Sequence, residues 1–565
     1  MTEAEAYPGS LEPGRTAGFR LTVLERSVLA LATVFLAGFF PWFPELHSPN
    51  ELTRIYLANA LVEDGQVSVD AQFAKHGRIF DASVRTVDGV QRYYSDKAPG
   101  VAFLALPVVA LYDALSDLPA TPDPAQAQAN LDGKVRVARL FTITLPALLL
   151  LYLLIRYLAE HLADRRLGAI LVLAYALGTV ATPYSMLLIG HQLSALILFS
   201  LFLAVRRVDR ASPLPRHALI GFLASAALIV EYQNVLMLLP FAVWYALRSR
   251  LRPLGLLAAL AGAIPLVVAL LAYHQAAFGS PFLTGYSFIA SSFAEVHAQG
   301  LLGVTLPTPE HAFLSFLSPT KGLLFYAPWL ALAVPGLFRH PVRGERRFTA
   351  IYVTLYALFV SAMVFPGGGW TVSQRHLCPM VPFLVLPVGL FIERFGPATT
   401  RLRHAIAVGL ILPAIVACSV ATLAFPYPPD DIVNPFWHVL WPLYSDGFAV
   451  PSMLSPLGVS PWIFGTIVIA LALAIVFGDL VWRSVADARA AVATTLERLR
   501  SAAMPLLALA ISAAWIAVAN LPGADQDVVE DRAFIERVYV HDPPPEPAPD
   551  AKPAHKPRPP RHPRL

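Results

Sequence analysis

Apolar runs long enough to cross a bilayer recur along this chain, and they constrain its fold more than any other feature. Residues 405–425, AIAVGLILPAIVACSVATLAF, are one example. A helix needs about 20 such residues to span the hydrocarbon core, and inside a bilayer every backbone polar group must find its partner within the chain. Of 565 residues, 56% are hydrophobic and only 14% are charged, where a soluble domain carries about 25% charged. The expected fold is an all-α polytopic membrane protein.

Arginine clusters set the expected topology. They include Arg15, Arg20 and Arg26; Arg156, Arg165 and Arg166; Arg206, Arg207, Arg210 and Arg216; Arg248, Arg250 and Arg252; and further groups near 339–347, 394–403 and 483–500. With all of them on the cytoplasmic side, the runs between pair into about thirteen transmembrane helices, N-terminus inside and C-terminus outside. Residues 1–26 then form a cytoplasmic segment and 27–520 the transmembrane domain. The first run, about 27–41, is too long for a cleaved leader and lacks a small-residue cleavage site, which predicts a retained helix. Residues 42–136 form a first outer loop with interfacial helices near 51–64 and 98–115. A second outer loop covers 274–321. The Pro-rich basic tail, 521–565, reads as extended and mostly disordered.

Cys378 and Cys418, the only cysteines, sit in apolar runs and read as small buried residues. They exclude a disulfide framework and a cysteine metal site. The six lysines are scattered, so there is no clustered basic face for nucleic acid. No nucleotide-binding glycine loop is present, nor a metal spacing such as HExxH.

The candidate site residues are the polar groups at the outer ends of apolar runs, because ionisable groups at membrane depth are costly and tend to face a cavity or a partner. In PNELTRIYLANALVEDG, Asn50 suits an N-cap, Glu51 falls in the first turn and Arg54 one turn on; the run reads as a short amphipathic helix lying on the membrane. A Glu51–Arg54 pair within the helix is the plain alternative. In YYSDKAPG, Tyr94 precedes Asp96, which can take a proton, and Lys97, a compact cation suited to phosphate. Pro99, Gly100 and Pro107 fit an interrupted interfacial helix after it. Lys321 in SPTKGLLFYAPWL and Arg375 in GGGWTVSQRHLCPMVPF break the scarcity of outer cations; headgroup snorkelling would also explain them. His191, His274 and His376 stand at outer turns, as do Glu231 and Tyr232.

Taken in order, PNELTRIYLANALVEDGQ, YSDKAPGVAFLALPVVAL, FGSPFLTGYSF, SPTKGLLFYAPWLALAVPGL and GGGWTVSQRHLCPMVPFL resemble the GT-C class of polytopic glycosyltransferases. The resemblance is to bacterial relatives of protein O-mannosyltransferases and lipid A aminoarabinose transferases, and it covers most of residues 25–400. It implies transfer of a sugar from a polyprenyl-phosphate donor to an acceptor hydroxyl (on a lipid, glycan or protein), with inversion, on the outer face of a bacterial inner membrane. It implies Glu51 and Asp96 as catalytic residues, and Lys97, Arg375 and Lys321 around the donor phosphate. Asn50, Arg54, Tyr94, His191, His274 and His376 follow as substrate-binding residues. Membrane lipids are expected partners and nucleic acid is not; a divalent metal is compatible with the acidic and histidine residues. One departure stands out: Asn50 fills the place where the family has an Asp, and an amide cannot act as a general base. A transporter or lipid flippase, or an inactive lipid-binding relative, are the other readings of the same charges.

Overall fold

The computed structural model describes residues 19–39, 48–116, 123–289, 293–394, 397–430, 432–490, 495–521 and 526–535. Most of the expected tail and of the N-terminal segment lies outside these residues.

The described chain is helical apart from one hairpin. Five helices are long and apolar enough to cross a membrane: Pro124–His161, Pro253–Phe278, Thr400–Ala424, Pro461–Arg489 and Thr495–Ala519. Six shorter apolar helices accompany them. Their starts are written locally. Thr22 and Glu25 form a capping box before Val23–Gly38, Asp123 and Gln126 another before Pro124, and Asp164 accepts two backbone N–H bonds at the head of Arg165–Leu177. Each such cap satisfies donors that a helix start leaves unpaired.

Two features of the packing bear on the site. Helix Leu214–Val230 lies tightly against Pro253–Phe278, with Gly221 and Gly262 at the crossing. A Cβ on Gly221 would overlap the carbonyl of Ala259, and one on Gly262 that of Ala218. Small residues let helices approach this closely in a bilayer, where packing rather than hydrophobicity holds them together. Gly221→Val should therefore separate the pair and lower the melting temperature in detergent; an unchanged melting curve would count against this contact. The second feature is a π turn, Leu140–Thr144, inside the continuous helix Pro124–His161.

The segment expected as a first outer loop holds more structure than its sequence suggested. Strands β1 (Ala82–Val87) and β2 (Val90–Ser95) pair antiparallel about Asp88 and Gly89, both at positive φ. Two positive-φ residues are what a type I′ hairpin turn demands. Helix Pro49–Glu63 was expected as an amphipathic helix on the membrane surface, yet Asn50 through Ala60 are all buried. Its charges are paired with other elements, which removes the need for water. The N-cap is Ser48 rather than Asn50. Near the expected 98–115 lies helix Gly100–Leu115, with Val101, Ala102, Ala105 and Val109 buried and Leu104, Leu111 and Leu115 exposed. Gly100 has no room for a side chain: a Cβ would stand 2.6 Å from the Ile229 carbonyl oxygen.

Residues 283–289 close on the hairpin. Ser83 Oγ donates to the Gly285 carbonyl at 2.7 Å, and Ser83 pairs with Ile289 across an isolated bridge. A Cβ on Gly285 would come 2.7 Å from the Asp96 Cα.

Candidate active site

Strand β2 ends at Ser95 and helix Gly100–Leu115 begins five residues later, so Asp96 and Lys97 occupy the bend between them. Ser95 Oγ fixes the bend by accepting from the Lys97 N–H at 3.3 Å and from Thr53 Oγ1 at 3.0 Å. Lys97 Nζ lies 2.7 Å from Asp96 Oδ2 and 3.2 Å from Asp81 Oδ2. Burial works against the Lys97 charge, but Asp81 and Asp96 outweigh it and hold the ammonium protonated. Burial pushes the Asp96 carboxyl above the ordinary carboxylate range despite Lys97 and Arg54. Its second oxygen, Oδ1, is buried without a hydrogen-bond partner. A desolvated carboxylate binds a proton more readily than an exposed one, which suits it to act as a base.

Arg54 approaches this group from helix Pro49–Glu63. Its guanidinium donates to Glu231 Oε1 at 2.9 Å and to the Asn50 carbonyl at 2.6 Å, and it also bonds the Asn50 side chain. Glu231 sits against Gly190, where a Cβ would be 2.5 Å from its Oε1. The next residue, His191, meets His376 edge to face with ring centroids 4.7 Å apart. His376 Nδ1 lies 2.8 Å from Gln233 Oε1. Burial, then Arg375 and Lys97, push the His376 imidazole well below its ordinary range, so it is neutral. Tyr286, from the short helical turn Gly285–Phe288, faces Lys97, Glu231, Asp96 and Arg54, and burial pushes its hydroxyl up to about 12.

Arg375 differs from the other cations. Lys97 and Arg54 have carboxylate partners, whereas no described carboxylate pairs with Arg375, and its Nε is buried without a hydrogen bond. Gly368 and Gly369, both at positive φ, precede it, with the Gly368 Cβ position 3.6 Å from the Arg375 Nε. His191 Nδ1, Gln233 Nε2 and Arg54 Nε are also buried and unbonded. Buried polar atoms are normally satisfied.

Five expected site residues are placed differently. Glu51 is 1% exposed and saturated: Arg139 donates Nε to Oε1 at 2.8 Å and Nη2 to Oε2 at 2.6 Å, Leu188 N–H donates to Oε1 at 2.5 Å, and the Tyr427 hydroxyl donates to Oε2. It anchors four segments and has no lone pair to offer as a base. Lys321 is buried and donates to Gly369 O at 2.9 Å, Thr371 O at 2.6 Å and Thr371 Oγ1 at 3.1 Å. Its ammonium staples the loop that carries Arg375, leaving no donor for phosphate. Tyr94 is buried edge-on against Phe278, His274 is bound between the Tyr232 hydroxyl and the Pro281 carbonyl, and Asn50 holds Arg54. The structure thus brings Asp96, Lys97, Arg54, His191, His376 and Arg375 near one another, whereas Glu51, Lys321, Tyr94, His274 and Asn50 make the contacts just described.

Sequence reasoning missed Asp81, Tyr286, Gln233, Arg139 and Tyr427. Their partners lie far away in the chain, as in the 88 residues between Glu51 and Arg139. The hairpin that presents Asp96 did carry a signal, the Asp88-Gly89 pair between alternating residues.

No family model matches the chain, and no curated protein matches it. Among solved structures it is similar to arabinosyltransferase EmbB from Mycobacterium smegmatis, at TM-score 0.43 and 15% identity, over 91% of this chain and 43% of that one. It is also similar to ArnT from Cupriavidus metallidurans bound to undecaprenyl phosphate, at TM-score 0.46 and 13% identity, over 91% of this chain and 90% of that one. The apo state of the same ArnT gives TM-score 0.44 and 14% identity, with the same coverage. The chain therefore spans less than half the length of EmbB and nearly all of ArnT. These are likenesses in the course of the chain at low identity; the chemistry of the site rests on its own residues.

Proposed function

We propose that this protein is a GT-C-class membrane glycosyltransferase that moves a sugar from a polyprenyl-phosphate donor to an acceptor hydroxyl, with inversion at the anomeric carbon. The observation that carries the reading is a buried carboxylate, Asp96, held by Lys97 with its Oδ1 unbonded, together with a cation, Arg375, that has no described carboxylate partner and flanks the His191–His376 pair.

In this mechanism the acceptor O–H gives its proton to Asp96 Oδ1 as the acceptor oxygen bonds to the anomeric carbon. The bond from that carbon to the phosphate oxygen breaks on the opposite side, and polyprenyl phosphate leaves with the electron pair. Arg375, with the neutral His191 and His376 beside it, receives the charge that develops on the phosphate. A preorganised cation of this kind is commonly the largest catalytic term. Lys97 does not take the phosphate; Asp81 and Asp96 already hold it, and it orients Asp96. Helix Gly100–Leu115 lies at the outer interface, in a layout of about thirteen spans with the N-terminus inside. The membrane is a bacterial inner membrane, and the acceptor is a lipid, glycan or protein.

The test is transfer of label from a radiolabelled polyprenyl-phosphate sugar into an acceptor fraction by membranes carrying the protein. Arg375→Met should raise the donor KM or lower kcat/KM by roughly 10–100-fold, since hydrogen bonds to charged groups contribute about 1.5–3 kcal/mol. Proton-gradient-driven flux of the lipid with no sugar transferred would replace this reading with a flippase.

A further inference from the structure

A second polar cluster lies far from the first. Helix Leu145–His161 starts near the Glu51 anchor and carries His161 at its other end, about 24 Å along the axis at 1.5 Å per residue. Around His161 stand Arg206 from helix Gly190–Val205's end, His340 from the turn after Leu337, and Glu345 from the first turn of Arg343–Ser361. We propose that His161, His340 and Glu345 bind a divalent transition metal, zinc by preference, at the cytoplasmic end of the helix bundle.

The geometry is that of a three-ligand site. His161 Nε2 lies 3.3 Å and His340 Nε2 3.8 Å from Glu345 Oε2, and all three ligand atoms fall within 4.8 Å of one another. Ligands on a tetrahedral zinc with bonds near 2.0–2.1 Å sit about 3.4 Å apart, so only small shifts close the set. All three residues are buried. His161 Nδ1 donates to the Tyr157 carbonyl at 2.8 Å, which points the lone pair of Nε2 at the centre. A backbone carbonyl on the far nitrogen is the usual support of a ligating histidine. His340 Nε2 is buried, aimed at the same centre and without a hydrogen-bond partner.

Arg206 sets the electrostatics. Its Nε takes Glu345 Oε1 at 2.8 Å and its Nη1 takes Glu160 Oε2 at 2.5 Å. Glu160 balances the guanidinium, and Glu345 Oε2, which accepts from the Tyr157 hydroxyl at 2.9 Å, keeps its second lone pair for the metal. Two contacts must give way: Arg206 Nη2 at 3.3 Å from His161 Nε2, and the Val342 N–H at 3.2 Å from His340 Nδ1. The second follows because the His340 proton moves to Nδ1 when Nε2 ligates. Both are at the long end for hydrogen bonds. Bound metal would tie together three segments that meet on the inner face, a structural role independent of sugar transfer.

The full-length protein, purified in detergent through a tag without histidines, is incubated with Zn²⁺ or Co²⁺ and desalted. About one metal per chain is expected by elemental analysis, with the visible bands of four-coordinate Co²⁺. His161→Ala and His340→Ala should each weaken retention by at least about tenfold. A wild-type protein that keeps no stoichiometric metal overturns the proposal, whatever the variants do. So does equal retention, with unchanged cobalt bands, in both variants. Neither result bears on glycosyl transfer.

Discussion

Asp96→Asn abolishes sugar transfer while the protein still accumulates in the membrane. The expected loss in kcat is about 10²–10⁴-fold, the usual contribution of a positioned general base. The substitution conserves shape, and Lys97 keeps Asp81 as a partner at 3.2 Å, so the bend itself should survive. The pH profile gives an independent readout. Asp96 acts as a base only when ionised, and burial raises its carboxyl above the ordinary carboxylate range. Wild-type kcat/KM should therefore be full above that raised value and fall as pH drops through it. In Asp96→Asn the residual rate should lose this acid limb. Initial rates of label transfer across the acidic range measure both. Wild-type activity in the variant, or an unchanged acid limb, would remove Asp96 from the mechanism.

The second large effect concerns Glu51. Glu51→Gln should destabilise the fold by about 3–5 kcal/mol, because it breaks the buried two-point ion pair with Arg139. Loss of transfer in this variant alone would be ambiguous, since a base and an anchor both fail. A double replacement separates them. Glu51→Leu with Arg139→Met removes both charges and fills similar volume, a change that is often near neutral for a buried pair. The anchor reading expects this double variant to melt within a few degrees of wild type and to transfer sugar. A folded but inactive double variant would return Glu51 to the reacting atoms. Thermal unfolding and transfer assays on the same preparations decide between the two.

How much of this was legible in the sequence depended on the range of the interaction involved. The class of fold follows from run length and charge scarcity, which are local. Asp96, Lys97, Arg54, His191, His376 and Arg375 were legible as candidates because charge at the end of an apolar run is conspicuous by itself. Which of them come together was not legible, because that depends on contacts such as Arg54–Glu231, 177 residues apart. The same limit explains Glu51 and Lys321. Both looked like site residues by position, and only their distant partners, Arg139 for one and the 369–371 carbonyls for the other, show the charge already spent. The burial of helix Pro49–Glu63 was not legible for a related reason: its polar residues Glu51 and Arg54 meet partners far away in the chain.

The π turn at Leu140–Thr144 has a consequence for how the anchor and the span are phased. A wider turn takes up one residue more than an α-helix would, and each residue turns the helix by about 100°. Upstream of the turn, Arg139 points inward to Glu51; downstream, the apolar helix to His161 keeps its own lipid-facing stripe, with Leu145 and Leu149 exposed. The turn thus works as a phase adjuster between two halves that must face different environments. Deleting Phe141 should put them out of phase, leaving either the guanidinium in lipid or the stripe in the core. A loss of stability comparable to that of Glu51→Gln is the expected result, and a deletion variant that melts like wild type would dismiss the phasing role.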